Sequence, residues 1–202
     1  ENNAFTNCDM TNFYNILPAE NIEIALWLES DRMMKLDFSS KSLATQQKVV
    51  IEEFKETCLN QPYGDMWHHL SDMAYKEHSY RWPTIGLVPE HIQDAKLGDV
   101  EAFFYRYYRP NNAVLVVAGN IQISDVKSQI NKYFSDIPAG IELKRSLPVE
   151  TKQSQLRSKI IEAAVPLPSI IMAFGMCNRL NDDYYAIDLL SDILANGRSS
   201  RF

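Results

Sequence analysis

The chain has 202 residues, of which 46% are hydrophobic and 23% charged, and this is enough apolar material for one large domain or two small ones. Its formal net charge of -6 and pI near 5.2, without any cluster of Lys and Arg, argue against nucleic acid or an anionic membrane as the main partner. No run of 18 apolar residues occurs, so no membrane span is expected. The N-terminal Glu-Asn-Asn-Ala has no initiator Met or signal pattern, and we interpret both ends as cut from a longer protein.

The first half of the chain predicts one strand followed by several helices. The string TNFYNIL, residues 11–17, favours a strand because it is rich in Thr, aromatic and aliphatic residues and stops at Pro18. Apolar spacing predicts a helix from about Ala19 to Met33, and a Ser cap begins a second helix that runs to about Leu59. Further amphipathic helices are predicted over residues 63–75, 89–95, 98–108 and 124–134. The helix over 98–108 is expected to bury Val100, Phe103, Phe104 and Tyr107.

The remaining segments predict more strands. The apolar run at 113–118 is typical of a fully buried strand, and the strings SKIIEAAV and PSIIMAFGMC predict two more before a helix over 182–195. Residues 141–154 are polar and read as a linker. We therefore expect an α+β fold, a mostly antiparallel sheet covered by helices.

Cysteine and histidine provide no zinc motif. The cysteines are Cys8, Cys58 and Cys177, far apart and without a CxxC, which favours buried free thiols. The histidines are His68, His69, His78 and His91, and none stands in an HxxEH or HxxxH pattern. Solvation or a hydrogen bond in the core is the favoured role for each.

The acidic residue of most interest is Glu53, in the helical string KVVIEEFKE. Spacing places it beside Val49 and Val50, whereas Glu52 can stay in water. A carboxylate drawn against apolar residues needs a partner, so Glu53 should meet a cation, a hydrogen-bond donor or a metal, with an ordinary salt bridge the simplest case.

Three strings, in this order, are similar to the insulinase/pitrilysin family of zinc metallopeptidases. ENNAFTNCDMTNFY resembles the family's Asn-Ala-x-Thr edge strand beside the zinc, matched here by Asn3, Ala4, Phe5 and Thr6. KVVIEEFKE resembles the helix whose last carboxylate binds zinc, which is Glu53 here. FYRYYRPNNAVLVVAGN looks like the helix, turn and strand that end a half-domain, and LLSDILANGRSSRF resembles a later family element, with Phe202 in its final Leu position.

The resemblance implies that the parent protein is a zinc endopeptidase that hydrolyses peptides in an enclosed chamber. Its zinc would activate a water molecule, the HxxEH segment would supply the general base, and the strand at Asn3–Thr6 would bind the peptide backbone by strand addition. HxxEH is absent from this chain, so no catalytic residue is expected here and the chain alone should be inactive. The alternative is a non-catalytic subunit that supports an active partner or holds substrate, and Gln46, where many members have a second Glu, favours it slightly.

The resemblance also implies an organisation and partners. Residues 1–140 would form most of one half-domain, 141–154 a linker, and 155–202 the start of a second half-domain. The expected partners are a peptide or unfolded polypeptide and the remaining half-domains of the parent, or a homologous subunit. LNQPYG and YKEHSYRWPTIG look most like bacterial members. The sequence does not determine the location, which is expected to be the bacterial periplasm or cytoplasm, with the periplasm slightly favoured. A piece cut within a half-domain exposes sheet edges and apolar surface, so self-association is expected.

Overall fold

The computed structural model describes residues 1–201 and divides the chain into two compact units, Glu1–Ile160 and a second unit that begins at Ile161. Phe202, the last residue of the string LLSDILANGRSSRF, lies outside the described residues. Within residues 1–201, no helix has both the length and the apolar character needed to cross a membrane. Whether the two units correspond to the half-domains inferred from the sequence stays a prediction.

The chain begins with an antiparallel hairpin. Strand β1, Asn2–Thr6, pairs with strand β2, Thr11–Asn15, in a register that places Asn3 opposite Tyr14. The side chain of Asn7 closes the turn, since its Oδ1 accepts hydrogen bonds from the backbone N–H groups of Asp9 and Met10 at 2.9 and 3.0 Å. The strand predicted at 11–17 is therefore confirmed over β2, and the antiparallel sheet of the α+β fold is small.

The predicted helices are all present within the described chain. They are α1 (Ile22–Met34), α2 (Ser40–Phe54), α3 (Met66–Ala74), α4 (Pro89–Gln93), α5 (Leu97–Tyr107), α6 (Ile123–Phe134) and α7 (Tyr184–Ala195). The Ser cap of α2 is Ser39, whose hydroxyl accepts from the backbone N–H of Ser42 at 3.2 Å. Beyond Phe54 the helix widens into a π-helical turn, Lys55–Leu59, which reaches the predicted end.

The core of the first unit is small. Its buried apolar side chains are Leu26, Phe54, Cys58, Phe104, Val126 and Ile137. Helix α1 packs against α6, and α2 packs against α4. Phe104 is 2% exposed and its ring contacts those of Phe38 and Tyr108, with centroids 5.4 and 5.0 Å away. The expectation that the whole apolar stripe of α5 is core is wrong, because Phe103 points about 100° away from Phe104 and is 57% exposed.

Three predicted strands are absent from the described part of the chain. Residues 113–118, 158–165 and 168–177 run without helix or strand, and Val114 and Ile170 are 90% and 88% exposed. A strand forms only where a neighbouring strand takes up its backbone hydrogen bonds, and the sole paired strands within residues 1–201 are β1 and β2. The apolar runs are present, but the pairing that would bury them is not.

Candidate functional site

Strand β1 has one edge paired with β2 and one edge without a neighbouring strand among residues 1–201. Glu1 and Ile16 exchange two backbone hydrogen bonds of 2.8 Å, and Asn7 N–H donates to the carbonyl of Met10 at 3.0 Å. Because hydrogen-bonded pairs alternate along an antiparallel ladder, the odd-numbered residues of β1 face β2. The backbone groups of Ala4 and Thr6 therefore point to the outer edge, where strand addition would occur.

The outer edge of β1 is partly satisfied by its own side chain. The Oδ1 atom of Asn3 accepts a hydrogen bond from the N–H of Ala4 at 2.8 Å. Asn3, Ala4, Phe5 and Thr6 are all exposed, and Phe5 leaves 47% of its surface in water. The amide of Asn3 thus occupies the place that a carbonyl of an added strand would take on Ala4.

Glu53 lies on the solvent face of α2. The side chain is exposed, and no hydrogen bond or ion pair joins its carboxylate to any other of residues 1–201. The expectation that Glu53 is drawn against apolar residues is wrong, because neighbouring Val49 is itself 54% exposed and leaves the carboxylate in water. No salt bridge to Glu53 forms among residues 1–201, and its binding to a metal stays a prediction. Glu52 accepts a hydrogen bond from Lys55 Nζ at 2.6 Å, also at the surface.

The helix that carries Glu53 is held firmly from its other face. Phe54, next in the chain, is 3% exposed and packs its ring against His68, with centroids 5.6 Å apart. About two turns earlier, Gln47 Nε2 donates to the carbonyls of Ile92, Gln93 and Ala95, each at 3.0 Å, and so ties α2 to the end of α4.

The carbonyl of Glu53 marks the start of the π-helical turn. The hydroxyl of Thr57 donates to this carbonyl at 2.7 Å, which satisfies it where the regular helix pattern ends. Gly64 packs on the same turn so closely that a Cβ atom there would lie 2.5 Å from the carbonyl oxygen of Thr57. Only glycine fits at this position, so the backbone of Gly64 can pack directly against the backbone of the π-helical turn.

Three of the four histidines make hydrogen bonds within the first unit. His68 Nε2 donates to the carbonyl of Gly86 at 2.9 Å. His69 Nδ1 accepts from Lys159 Nζ while its Nε2 contacts Asp65 Oδ2, both at 3.1 Å. Because lysine only donates, the proton of neutral His69 lies on Nε2. His78 Nδ1 accepts from the backbone N–H of Tyr80 at 3.2 Å.

Zinc takes carboxylate, imidazole and thiolate ligands, almost always three or four from the protein. Across residues 1–201, no three His, Cys, Asp or Glu side chains are close enough together to hold a metal ion. Glu53 has the right chemistry for one ligand, but the described residues do not form a zinc site by themselves. Among residues 1–201, no hydrogen bond or ion pair joins Glu53 to β1. The predicted metal ligand and the predicted substrate-binding strand therefore make no direct polar contact.

The cysteines differ from the expectation of buried thiols. Cys58, a residue of the π-helical turn, is buried, whereas Cys177 is half-buried and Cys8, in the hairpin turn, is exposed. A turn residue at the tip of a hairpin has no second layer above it, which is why Cys8 remains in solvent.

Sequence reasoning missed an anion site in the loop after α3. The backbone N–H groups of Lys76, Glu77 and His78 all donate to the carboxylate of Glu150, at 2.8, 2.8 and 2.9 Å. The N–H of His78 and then that of Glu77 hold the pKa of Glu150 well below its usual value, at about 2. No sequence signal marks this contact, because the partners lie 72 to 74 residues apart.

The same loop reaches the hairpin. The hydroxyl of Tyr80 donates to Asp9 Oδ1 at 2.6 Å, and this hydrogen bond raises the pKa of Tyr80 to about 12. Asp9 is in the turn between β1 and β2, so the loop after α3 holds the hairpin at its tip.

A surface cavity of about 410 Å³ lies between α1 and α6. It is lined by Glu20, Asn21, Glu23, Ile24, Trp27 and Tyr133. Lys132 Nζ and Tyr133 Oη donate to Glu23 at 2.7 and 2.6 Å, and the Lys132 hydrogen bond is the main cause of a lowered Glu23 pKa. None of the predicted site residues lines this cavity.

Comparison with protein families identifies the class of protein. The model of the family described as the peptidase M16 inactive domain matches residues 94–202, which is more than half of the chain. The chain therefore belongs to the peptidase M16 family, and the resemblance seen in the sequence is confirmed. Glu53 and β1 precede the matched residues.

Curated relatives match nearly the whole of this chain. The zinc protease PqqE of Helicobacter pylori is 28% identical over 98% of the chain, and the uncharacterized zinc protease YmxG of Bacillus subtilis is 27% identical over 98%. These alignments span 45% and 47% of the two relatives, so the chain covers about half the length of each.

Solved structures show the same fold. The crystal structure of a protease from Helicobacter pylori covers all of this chain with a TM-score of 0.84 at 25% identity, and the chain spans 49% of it. The first half of the periplasmic protease PqqL from Escherichia coli covers 73% of the chain with a TM-score of 0.61 at 18% identity, and 32% of that structure is matched. The α+β fold is thus that of peptidase M16 halves.

Proposed function

We propose that this chain is part of a zinc-dependent endopeptidase that hydrolyses peptides in an enclosed chamber, and that the chain is inactive by itself. The observation that carries the proposal is the exposed Glu53 carboxylate, which has no partner among residues 1–201 and stands on a helix anchored by Phe54 and Gln47. Relatives named zinc proteases support the same reading. Zinc content and peptide hydrolysis of the full-length protein test it, with the Glu53 variant described in the Discussion.

Glu53 would provide one carboxylate ligand to the zinc, and the remaining ligands would come from other parts of the full-length protein. Bound zinc supplies Lewis-acid activation of water and of the scissile carbonyl. Within this chain, Glu53 contributes negative charge at a fixed position. It needs no rearrangement of α2 to do so, because its carboxylate is already in solvent.

Strand β1 would bind the substrate, a peptide or an unfolded polypeptide. The outward-facing backbone groups of Ala4 and Thr6 can pair with an extended peptide, whose carbonyl would replace the Asn3 side chain on the Ala4 N–H. The exposed side chains of Asn3 and Phe5 flank this edge. Main-chain pairing of this kind accepts many sequences, as a degradative peptidase requires.

Replacing Ala4 with proline tests the strand-addition step. Proline removes the N–H of residue 4, which points away from β2, so the hairpin ladder should survive. Losing one backbone hydrogen bond costs about 1 kcal/mol, so kcat/KM of the full-length protein should fall by roughly fivefold. Peptide hydrolysis measured beside Ala4→Ser, which keeps the N–H, provides the control. Equal kcat/KM values for the proline and serine variants would mean that β1 does not bind the substrate through the N–H of residue 4.

A second candidate function is that of a non-catalytic peptidase-like subunit. The specific observation in its favour is that residues 94–202 match the inactive domain of the family. Gln46 adds to it, since it is an exposed amide where many members have a second Glu. Such a subunit would support a homologous active partner or hold substrate. A full-length protein that binds no zinc and cleaves no peptide would favour this function.

We also propose the half-domain organisation inferred above, with the remaining half-domains of the parent protein, or a homologous subunit, as partners. The relative PqqL is named a periplasmic protease, and this supports the bacterial periplasm as the location ahead of the cytoplasm. Residues 141–154 would connect the two half-domains.

This chain in isolation is proposed to self-associate. Large apolar side chains stand in water in the stretches predicted as strands, including Ile160 at 94%, Phe174 at 80% and Val116 at 78% exposure. Exposed apolar runs of high β-propensity pair readily with other copies. Sedimentation velocity over a range of concentrations should show species larger than a monomer, and a single monomeric species at high concentration would contradict this.

A further inference from the structure

Residues 148–160 lie along the first unit as an extended segment, here called the strap. Glu150 is bound by the loop after α3, as described above. Further along, Arg157 Nη1 donates to the carbonyls of Met73 and Ala74, at 2.7 and 3.2 Å, where α3 ends. Lys159 then donates to His69 at 3.1 Å. The strap is therefore attached at three points, although it contains no helix or strand.

The attachment of Glu150 has the geometry of a built anion site. Its Oε1 accepts from the N–H of Lys76, and its Oε2 accepts from those of Glu77 and His78. Three successive N–H groups that converge on one anion form a concave backbone nest, whose partial positive charge is independent of any side chain. Both oxygens of the carboxylate are used, so the site matches a planar two-oxygen anion.

We infer that the loop Lys76–His78 is a carboxylate-binding site that Glu150 fills from within the chain, and that this binding holds the strap on the first unit. Removal of the Glu150 carboxylate releases the part of the strap before Arg157, which keeps its own hydrogen bonds to Met73 and Ala74, and leaves the three N–H groups able to bind a small free carboxylate. The depressed pKa of Glu150 fits this assignment, because the nest stabilises the ionised form. The inference concerns only residues of this chain and is independent of the proposed peptidase activity.

The strap and the residues just before it offer tryptic sites that report its release. Lys152, two residues after Glu150, is exposed, and Lys144 and Arg145 are exposed just before the strap begins. In the full chain, Glu150→Ala should be cut at these residues at least about tenfold faster than wild type, since cleavage follows the population of the detached segment. Glu142→Ala is the matched control, because Glu142 is an exposed carboxylate of the same stretch without a hydrogen bond among residues 1–201, and it should be cut at the wild-type rate.

The vacated nest is tested separately with acetate as the probe. The backbone amide resonances of residues 76–78 should shift saturably with acetate in Glu150→Ala and stay unchanged in wild type, where the site is filled. Glu150→Gln keeps the size of the side chain and removes its charge, and it should also be cleaved faster than wild type. This second variant keeps the test valid if Glu150→Ala folds poorly. The inference would be overturned if both Glu150 variants were cleaved at the wild-type rate. It would also be overturned if acetate did not shift the amide resonances of residues 76–78 in Glu150→Ala.

Discussion

The Glu53→Gln variant of the full-length protein is expected to lose both its zinc and its peptide hydrolysis. Glutamine preserves the size of the side chain but replaces the carboxylate with a neutral amide, which is a poor zinc ligand. Because Glu53 is exposed and unpaired among residues 1–201, the exchange should leave folding intact. We expect zinc to fall from about one per chain to a small fraction of that, and hydrolysis to fall at least about 100-fold. Elemental analysis and a fluorogenic peptide assay measure both.

Glu52→Gln is the matched control for this experiment. Glu52 is adjacent, exposed and paired only with Lys55 at the surface, a contact worth about 0–1 kcal/mol. This variant should keep zinc and activity. If Glu53→Gln also kept both, Glu53 would not be a ligand, whereas a wild-type protein without zinc or activity would favour the non-catalytic subunit.

Phe104→Ala is expected to cost the first unit about 3–5 kcal/mol of unfolding free energy. Phe104 is 2% exposed and lies among the rings of Phe38, Tyr105 and Tyr108, so truncation removes a large buried surface and leaves a cavity. The core holds few buried side chains, which leaves little else to compensate for the loss. Urea denaturation followed by intrinsic fluorescence measures the change.

Phe103→Ala provides the comparison within the same helix. Phe103 is 57% exposed and contacts mainly the ring of Tyr107, at a centroid distance of 4.6 Å. Its truncation should cost less than about 1 kcal/mol. If Phe103→Ala and Phe104→Ala lost similar amounts of unfolding free energy, Phe104 would not be the more important core residue of this helix.

The helices could be predicted because their signals are local. Helix α2 carries its own cap at Ser39 and its own apolar spacing, and both were readable in the sequence. The π-helical turn after Phe54 was not, because it depends on the hydroxyl of Thr57 and on the close approach of Gly64. The apolar spacing of α5 likewise could not show that Phe104 is buried and Phe103 is not, since that depends on what packs against the helix.

The strands at 113–118, 158–165 and 168–177 could not be settled from the sequence. An apolar run shows that a segment is suited to a strand. The strand forms only if its backbone hydrogen-bonds to a second strand, which lies elsewhere in the chain or in another molecule. Among the residues described here, only β1 and β2 find one another, and they are adjacent in sequence.

The sequence by itself determined the family, the helices and the identity of the candidate residues Glu53 and Asn3–Thr6, because motifs and periodicity are properties of short segments. Only the tertiary structure decided that Glu53 stands in solvent, that the outer edge of β1 is covered at Ala4 by Asn3, and that Glu150 binds the loop after α3. The last contact joins residues 72 positions apart. Exposure and long-range hydrogen bonds depend on which segments meet when the chain packs, and no local pattern records that.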